Sequence, residues 1–382
     1  MDFQLTEEHL QVREMARKFA QNVLKPGVIE RDRDMIHPTE FLKQMGELGF
    51  MGMMVDPKYG GGGMDTISYA IAMEELSKID ASCSVAMSVN NSLVCWGLEE
   101  YGTEEQKQKY LVPLAKGEKL GAFALSEPEA GSDATSQRTT AEDKGDYYLL
   151  NGTKNWITNG GKADTYLVIA QTDAAKGHRG INVLIVEKGM PGFEIGAKED
   201  KLGIRASDTH TLLFNDVKVP KENRIGEDGF GFKFAMKTLE GGRIGIAAQA
   251  LGIAAGAYEL AVEYAKTRKA FGTEIANHQA IQFKLADMAT EIEAARLLVY
   301  KAAWMKDQHL DYSIASATAK VFASEVAMKT TVEAVQVHGG YGYVKEYHVE
   351  RLMRDAKITQ IYEGTSEVQR IVIGRGVLSG KI

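Results

Sequence analysis

Small hydroxyl residues and glycines are concentrated in two neighbouring segments, Leu125-Ser126-Glu127-Pro128 and Gly131-Ser132-Asp133. Serine hydroxyls and the backbone N–H groups of such turns are the kind of groups that bind anions. Both segments lie at the edge of a region predicted to form β-strands. An ordinary loop explains them equally well, so by themselves they only suggest an anion site.

A second candidate is the run Asn155-Trp156-Ile157-Thr158-Asn159-Gly160-Gly161. Because side chains alternate between the two faces of a strand, Trp156 and Thr158 would face the same side. A large aromatic ring beside a hydroxyl could cover a planar ring of a ligand. The alternative is a strand that simply ends in a turn.

Three further segments lie at or near the ends of predicted helices, namely Gly241-Gly242-Arg243, Arg268-Lys269-Ala270-Phe271-Gly272 with Gln279, and Gln336 to Gly340. Arginine side chains and backbone amides at such places suit phosphate groups. A Gly-Gly pair is also an ordinary way to end a helix, so both interpretations stay open.

The segment Tyr362-Glu363-Gly364-Thr365-Ser366-Glu367 precedes the last predicted helix. From the residues alone it fits a surface loop in which Thr365 caps that helix and Glu367 stands in its first turn. Gly60 to Gly63 lacks the Gly-Lys-Ser/Thr of a phosphate loop, and Gly339-Gly340-Tyr341-Gly342 lacks the dinucleotide spacing. Without a His-Glu-x-x-His motif or a cluster of His and Cys, we expect no metal.

Hydrophobic spacing predicts the elements that position these residues. The chain has no proline after Pro220, which permits long helices. We therefore predict a C-terminal four-helix bundle over residues 226–382. Its helices are marked by apolar residues at spacings of three and four in Leu251–Phe271, Ile281–Val299, Ser313–Val337 and Ser366–Leu378.

The middle of the chain instead has short β-branched and aromatic runs separated by Gly, Asp and Asn turns. Since parallel strands would need crossover helices, we predict an antiparallel β domain over residues 119–225. Residues 1–118 return to helical spacing, with Thr6 as an N-cap and amphipathic runs in Phe41–Leu48 and Ile67–Leu76. The predicted fold class is α+β, multidomain, in the order helical, β, helical.

A chain of 382 residues can enclose a bulky ligand, and its net charge of -7 argues against nucleic-acid binding. We expect Cys83 and Cys95 to be buried small side chains in a reducing compartment. Met1 to Leu5 shows no leader pattern, and no run of about 18 apolar residues follows. We expect a soluble protein without membrane contact, cytoplasmic in a bacterium or in the mitochondrial matrix if it is a processed eukaryotic form.

Taken in order along nearly the whole chain, these segments resemble the acyl-CoA dehydrogenase family, specifically its short-chain, butyryl-CoA branch. The order of helical and β domains agrees with that family's architecture. The resemblance implies FAD-dependent α,β-dehydrogenation of an acyl-CoA to the trans-2-enoyl-CoA. It also implies a homotetramer built as a pair of dimers, with one FAD in each subunit, and an electron-transferring flavoprotein as the electron acceptor.

By the same resemblance, Phe123 to Ser132 hold the flavin, Thr158 lies near its reactive nitrogen N5, and Thr365 and Glu367 close over the cofactor. The residues around Arg268 and Gln336 would bind the adenosine and pyrophosphate across a dimer interface. The full set expected to bind FAD is Phe123, Leu125, Ser126, Gly131, Ser132, Trp156, Ile157, Thr158, Arg268, Phe271, His278, Gln279, Gln336, Val337, Gly339, Gly340, Thr365 and Glu367.

The resemblance assigns the catalytic base to Glu363, which takes the α proton while the β carbon delivers a hydride to the flavin. The charge that develops on the thioester oxygen must be stabilised, in the family by the base's own backbone amide and a ribityl hydroxyl. Isovaleryl-CoA and long-chain members place the base just before the arginine that matches Arg243, where this chain has Gly242. The residues expected to bind substrate are Ser132, Glu240, Gly242, Arg243 and Gly364.

The alternatives are a branched-chain or cyclic acyl-CoA dehydrogenase, an acyl-CoA oxidase, and a non-catalytic flavoprotein or assembly partner. Oxidases of the family usually carry an extra C-terminal domain, and the presence of Glu363 and Arg243 argues against a non-catalytic role. Ser88 to Trp96 is expected to contribute to the acyl pocket. Asn90 and Asn91 supply no positive charge there, which disfavours a dicarboxylic substrate such as glutaryl-CoA.

Overall fold

The computed structural model describes residues 4–381, so Met1 to Phe3, which the leader argument included, lie outside the described residues. The first part of the chain is helical, as expected. Thr6 caps the first helix: its hydroxyl accepts the His9 N–H and the His9 ring accepts the Thr6 N–H. The helices are α1 Glu7–Phe19, α2 Val28–Arg33, α3 Thr39–Glu47, α4 Thr66–Ser77, α5 Ala81–Ser88, α6 Trp96–Tyr101, α7 Glu104–Gln106 and α8 Val112–Ala115, with π-helical segments at Ala20–Leu24, Val89–Cys95 and Lys107–Leu111.

The middle region forms a β-sheet. They are β1 Gly121–Ala124, β2 Thr140–Asp143, β3 Tyr147–Thr158, β4 Thr165–Gln171, β5 Ile181–Glu187, β6 Phe193–Lys198, β7 Thr209–Pro220 and β8 Arg224–Ile225. Their spatial order is β6-β7-β3-β2-β4-β5-β8, with β1 beside β4. Side chains such as Tyr148, Tyr166 and Leu184 form an apolar cluster on one face of the sheet.

The sheet is predominantly antiparallel, but two pairings correct the purely antiparallel prediction. Strand β1 pairs with β4 in parallel, and β2 pairs with β4 in parallel at Thr140 and Gln171. The chain passes from β1 to β4 through β2 and β3 rather than through a crossover α-helix. The inference from missing helices failed because other strands can supply the return path.

The last part of the chain is again helical, and it confirms the predicted fold class. After β8 come α9 Gly231–Thr267, the short hairpin β9 Lys269–Ala270 and β10 Thr273–Glu274, α10 Gln279–Asp307, α11 Ser313–His338, α12 His348–Thr359 and α13 Ser366–Leu378. Helix α12 was not predicted. The signal was present, because its buried residues Val349, Leu352 and Ala356 have helical spacing.

Helix α9 also corrects the expectation that the Gly241-Gly242 pair lies near a helix end. The helix is 37 residues long and passes through both glycines without a break. Glycines on its buried face allow close packing: a Cβ at Gly252 would overlap the backbone carbonyl of Glu74 on α4, and one at Gly256 would overlap that of Lys78. Gly252 and Gly256 therefore serve helix contact, and neither they nor Gly241 and Gly242 end the helix.

The core is built around α9. By length and composition α9 could cross a membrane, but 83% of its most apolar window is buried inside the protein, which marks it as a core helix. Cys83 and Cys95 are buried and unpaired, as expected. The apolar cluster of the helices includes residues of the sheet such as Leu167 and Ile185, so the helices and the sheet pack against each other.

Candidate active site

The turn between α12 and α13 presents the predicted base. Glu363 and Gly364 both have left-handed backbones, with φ of 51° and 88°. A non-glycine residue in that region is strained and needs support from its surroundings. The support comes from Gln369, whose amide donates to the carbonyls of Glu363 and Gly364 at 3.2 and 2.9 Å, and from Lys320, whose Nζ donates to the Gly364 carbonyl at 2.7 Å.

Thr365 ends this turn as predicted, since its hydroxyl accepts the Val368 N–H at 3.3 Å and caps α13. The surface-loop interpretation is nevertheless wrong for the middle of the turn. Glu363, Gly364 and Thr365 line a cavity that reaches into the protein. Glu367, in the first turn of α13, is exposed and does not line this cavity.

The carboxyl group of Glu363 is poorly solvated. Its Oε2 is buried and has no hydrogen-bond partner among residues 4–381. Burial raises the pKa of Glu363 to about 7, and the charges of Lys320 and Arg243 partly oppose that rise. A carboxyl group with such a pKa can accept and release a proton near neutral pH.

Gly242 makes room for this carboxyl group. A Cβ at position 242 would overlap Glu363 Oε2 and would come within 2.8 Å of Leu93 Cδ2. The next residue, Arg243, is buried and lines the cavity; its Nε has no partner within the described part of the chain. Desolvation lowers the pKa of Arg243. Glu240, also expected at the substrate, instead pairs with Lys237 at 3.0 Å and does not line this cavity.

The cavity has a volume of about 490 Å³ and is formed by all three parts of the chain. Its apolar wall includes Val85, Val89 and Leu93, from α5 and the π-helical segment that follows. The predicted site residues that it brings together are Phe123, Leu125, Ser126, Gly131, Ser132, Trp156, Ile157, Thr158, Arg243, Glu363, Gly364 and Thr365.

Asn90 and Asn91 do not line this cavity, although they belong to the same π-helical segment. The Asn90 amide donates to the carbonyls of Met51 and Leu114, and the Asn91 amide donates to that of Phe50. Both side chains therefore anchor the N-terminal helices. The argument from Asn90 and Asn91 against a dicarboxylic substrate is corrected, because neither side chain faces the site.

An ion pair anchors the loop that carries Ser126. The Nζ of the fully buried Lys154 donates to Glu127 Oε1 at 2.7 Å, to the Leu125 carbonyl at 2.9 Å and to Gln137 Oε1 at 3.1 Å. Burial lowers the pKa of Lys154 to about 8 despite the opposing charge of Glu127. These bonds fix the loop against strand β3.

Trp156 reaches the cavity through a bulge. The pairing of β3 with β7 shifts register between Lys154 and Ile157, and Trp156 itself has φ of 59°. Strict alternation, on which the prediction relied, does not hold at this point. Trp156, Ile157 and Thr158 consequently all line the cavity, and Trp156 is 55% exposed.

The remaining predicted FAD residues lie elsewhere. Arg268, Val337, Gly339 and Gly340 line a second cavity of about 820 Å³, together with Tyr264, Tyr341 and Tyr347. Phe271 is 96% exposed, and Gln279 and Gln336 are also exposed. His278 is half-buried, with its Nε2 3.3 Å from the Ala270 carbonyl. Within one chain these residues do not meet the cavity that holds Glu363.

Two residues at the site were missed from the sequence, namely Lys320 and Gln369. Both side chains are fully buried. Lys320 lies on the face of α11 that also buries Ala317 and Ala323, so a lysine within an apolar helical stripe was the available signal. Gln369 gave no comparable signal.

Three family models match consecutive parts of the chain: the N-terminal domain of acyl-CoA dehydrogenase over residues 6–118, its middle domain over 122–217 and its C-terminal domain over 229–378. The chain belongs to the acyl-CoA dehydrogenase family. Acyl-CoA dehydrogenases are FAD-dependent oxidoreductases that act on CH–CH bonds.

Similar proteins agree along the full length of this acyl-CoA dehydrogenase. The short-chain specific acyl-CoA dehydrogenase of Clostridium acetobutylicum is 55% identical over 382 residues, which is 100% of both chains. The butyryl-CoA dehydrogenase structure from Megasphaera elsdenii has a TM-score of 0.97 and 53% identity, covering 99% of this chain and 100% of that one. A chain of the structure describing the electron transferring flavoprotein of Acidaminococcus fermentans has a TM-score of 0.98 and 55% identity, with coverages of 99% and 100%.

Proposed function

We propose that this acyl-CoA dehydrogenase oxidises butyryl-CoA, or a similarly short acyl-CoA, to the trans-2-enoyl-CoA, with Glu363 as the base. The observation that carries the proposal is the Glu363 carboxyl group, which is unpartnered among the described residues and has a pKa near 7 on the wall of the cavity. The names of the similar proteins from C. acetobutylicum and M. elsdenii support a short acyl chain.

The residues of the cavity fit a flavin. Ser126, Ser132 and Thr158 supply hydroxyl groups, and the half-exposed Trp156 offers an aromatic surface for a planar ring. Bound FAD would supply the acceptor for the hydride. We assign the adenosine and pyrophosphate to Arg268, Val337, Gly339 and Gly340 of a partner subunit, because these residues line a separate cavity.

In the proposed mechanism Glu363 first has to be ionised, which its pKa near 7 allows at neutral pH. Its carboxylate then takes the proton from the α carbon of the substrate. Among the described residues no acceptor is found for the Glu363 backbone N–H, so this group is free to donate to the thioester oxygen, where charge develops. The apolar wall of Val85, Val89 and Leu93 excludes water from the reacting carbons.

We further propose that an electron-transferring flavoprotein reoxidises the enzyme, and that the active form is a homotetramer. The similarity to a chain in the A. fermentans structure supports that acceptor. The position of Arg268 and its neighbours outside the Glu363 cavity supports a site shared between subunits.

The test is to add butyryl-CoA to the purified yellow protein without oxygen and to follow flavin absorbance. We expect rapid bleaching, with slower bleaching by isobutyryl-CoA and glutaryl-CoA. Reoxidation should be faster with an electron-transferring flavoprotein than with oxygen. A protein that binds FAD but is bleached by none of these acyl-CoAs would contradict the proposal.

A further inference from the structure

Lys320 on α11 is a buried cation that the proposed mechanism does not yet use. Its side chain has no exposed surface, and burying an ammonium group is costly unless it is well paired. No carboxylate of residues 4–381 forms an ion pair with it. Its hydrogen bond goes instead to the backbone carbonyl of Gly364, at 2.7 Å. One hydrogen bond to an uncharged carbonyl offsets little of the cost of burying an ammonium group, so this lysine is a poor choice if it serves only to stabilise the helix bundle.

That carbonyl belongs to the strained turn of the base. The Gly364 oxygen accepts from both Lys320 Nζ and Gln369 Nε2. Glu363 and Gly364 have consecutive left-handed backbones, which persist only where contacts hold them. Lys320 therefore contributes to the direction in which the Glu363 side chain leaves the turn.

Lys320 is also one of two cations that act on the Glu363 carboxyl group. The ionisable groups that act on this site from the packed elements are Lys320 of α11, Arg243 of α9, Tyr69 of α4 and the adjacent Tyr362. Only the lysine and the arginine are cations, and both favour the ionised carboxylate against the effect of burial. Burial lowers the pKa of Lys320 to about 8 against the opposing charges of Glu363, Glu367 and Glu325, so its ammonium group is still mostly charged at pH 7.

We propose that Lys320 is a positioning residue that holds the Glu363–Gly364 turn through its bond to the Gly364 carbonyl and, as a buried cation beside that turn, favours the ionised form of the Glu363 carboxyl group. The proposal rests on the proposed role of Glu363 as the base. It separates two tasks, a mechanical one that Lys320 shares with Gln369 and an electrostatic one that it shares with Arg243.

The experiment compares the wild type with Lys320→Met and Gln369→Leu. The measurement is the rate of flavin bleaching by butyryl-CoA between pH 5.5 and 9, with FAD content checked by the ratio of flavin to protein absorbance. Without the cation, the acidic limb of the Lys320→Met profile should move up by about one pH unit. At pH 7 this shift should lower the bleaching rate by about five-fold, in addition to any loss from the disturbed turn. The loss due to the shift should recover near pH 9. Gln369→Leu should be slower at every pH, with the limb in its wild-type position.

Lys306→Met is the matched control, since Lys306 is a partly buried lysine on α10 whose pKa burial also lowers, to about 8, and whose carboxylate neighbours are Asp307 and Glu99 rather than Glu363. Its acidic limb should equal that of the wild type. An unshifted limb in Lys320→Met beside an active wild type overturns the role of Lys320 alone. A wild type that butyryl-CoA does not bleach overturns the proposed function and this proposal with it. If Lys320→Met does not fold, Lys320→Gln, which keeps a donor but no charge, must show the same shift.

Discussion

Two buried lysine and glutamate neighbourhoods flank the same cavity, and they differ in where the lysine donates its hydrogen bonds. Lys154 donates directly to the carboxylate of Glu127, which also accepts the Arg138 and Thr139 N–H groups. Lys320 donates to a backbone carbonyl and leaves the nearby Glu363 carboxyl group without a partner among the described residues.

The pKa values of the two carboxyl groups are consequently shifted in opposite directions. Burial alone would raise the pKa of Glu127, but Lys154 and the backbone N–H donors bring it below its usual value. For Glu363 burial dominates and the pKa rises to about 7. The same residue types therefore build a structural anchor where the carboxylate is fully bonded, and a reactive group where it is not.

Substitution of Glu363 gives the largest expected effect. Glu363→Gln removes the proton acceptor, and turnover of butyryl-CoA should fall by about 10³-fold or more. FAD content and folding should be retained, because the amide fits the same space. Steady-state kinetics and flavin absorbance measure both. Glu127→Gln, at the buried carboxylate beside the same cavity, is the comparison: it should lower stability and FAD retention while the residual holoenzyme still turns over. Appreciable turnover by Glu363→Gln would disprove the assignment of the base.

The opposite substitution tests the anchor. Lys154→Met leaves the buried Glu127 without its cation, which should cost about 3–5 kcal/mol in the free energy of unfolding. Urea denaturation followed by circular dichroism measures this. Adding Glu127→Gln to Lys154→Met should recover part of the loss, because no buried charge then lacks a partner. A neutral effect of Lys154→Met alone would remove the contrast between the two neighbourhoods.

A third substitution crowds the base without removing it. In Gly242→Ala the new methyl group overlaps Glu363 Oε2. The displaced carboxylate should lower kcat for butyryl-CoA by about 10- to 100-fold. The matched control is Gly241→Ala, since a Cβ there comes no closer than 3.5 Å to the Lys306 Nζ, an ordinary contact. Equal activities for the two variants would show that Glu363 has another position available.

The sequence was sufficient for the order of domains and for most residues of the Glu363 cavity. Periodicity locates helices such as α11, and the turn chemistry of Thr365 correctly places the start of α13. It failed where packing decides the outcome. The Gly241-Gly242 pair is typical of a helix end, yet it lies within α9, where the missing side chain of Gly242 leaves space for the Glu363 carboxyl group. The direction of the Asn90 and Asn91 side chains was likewise set by distant backbone carbonyls.

The difference between the Lys154–Glu127 and Lys320–Glu363 neighbourhoods could not be predicted from the sequence for the same reason. A raised pKa depends on which donors are absent around a carboxyl group, and no sequence pattern marks the absence of a donor. Lys320 is more than forty residues from Gly364 along the chain, so only the packing of α11 against the turn brings them together. Spacing can suggest a buried lysine but not the acceptor of its hydrogen bond.

The smallest expected effect is a pH dependence of stability in the substrate-free enzyme. The folded-state pKa of Glu363 is raised from 4.5 to about 7, so the folded protein keeps a proton that the unfolded chain releases. Stability from this group therefore falls as pH rises between about 4.5 and 7. Glu363→Gln has no such loss, and it should be more stable than the wild type by about 1–3 kcal/mol at pH 8, with the difference vanishing near pH 4.5.

Glu127→Gln should behave oppositely, because the lowered pKa of Glu127 gives stability that is present at neutral pH and lost in acid. Urea titrations at several pH values measure both differences, and a pH-independent difference for Glu363→Gln would contradict the raised pKa.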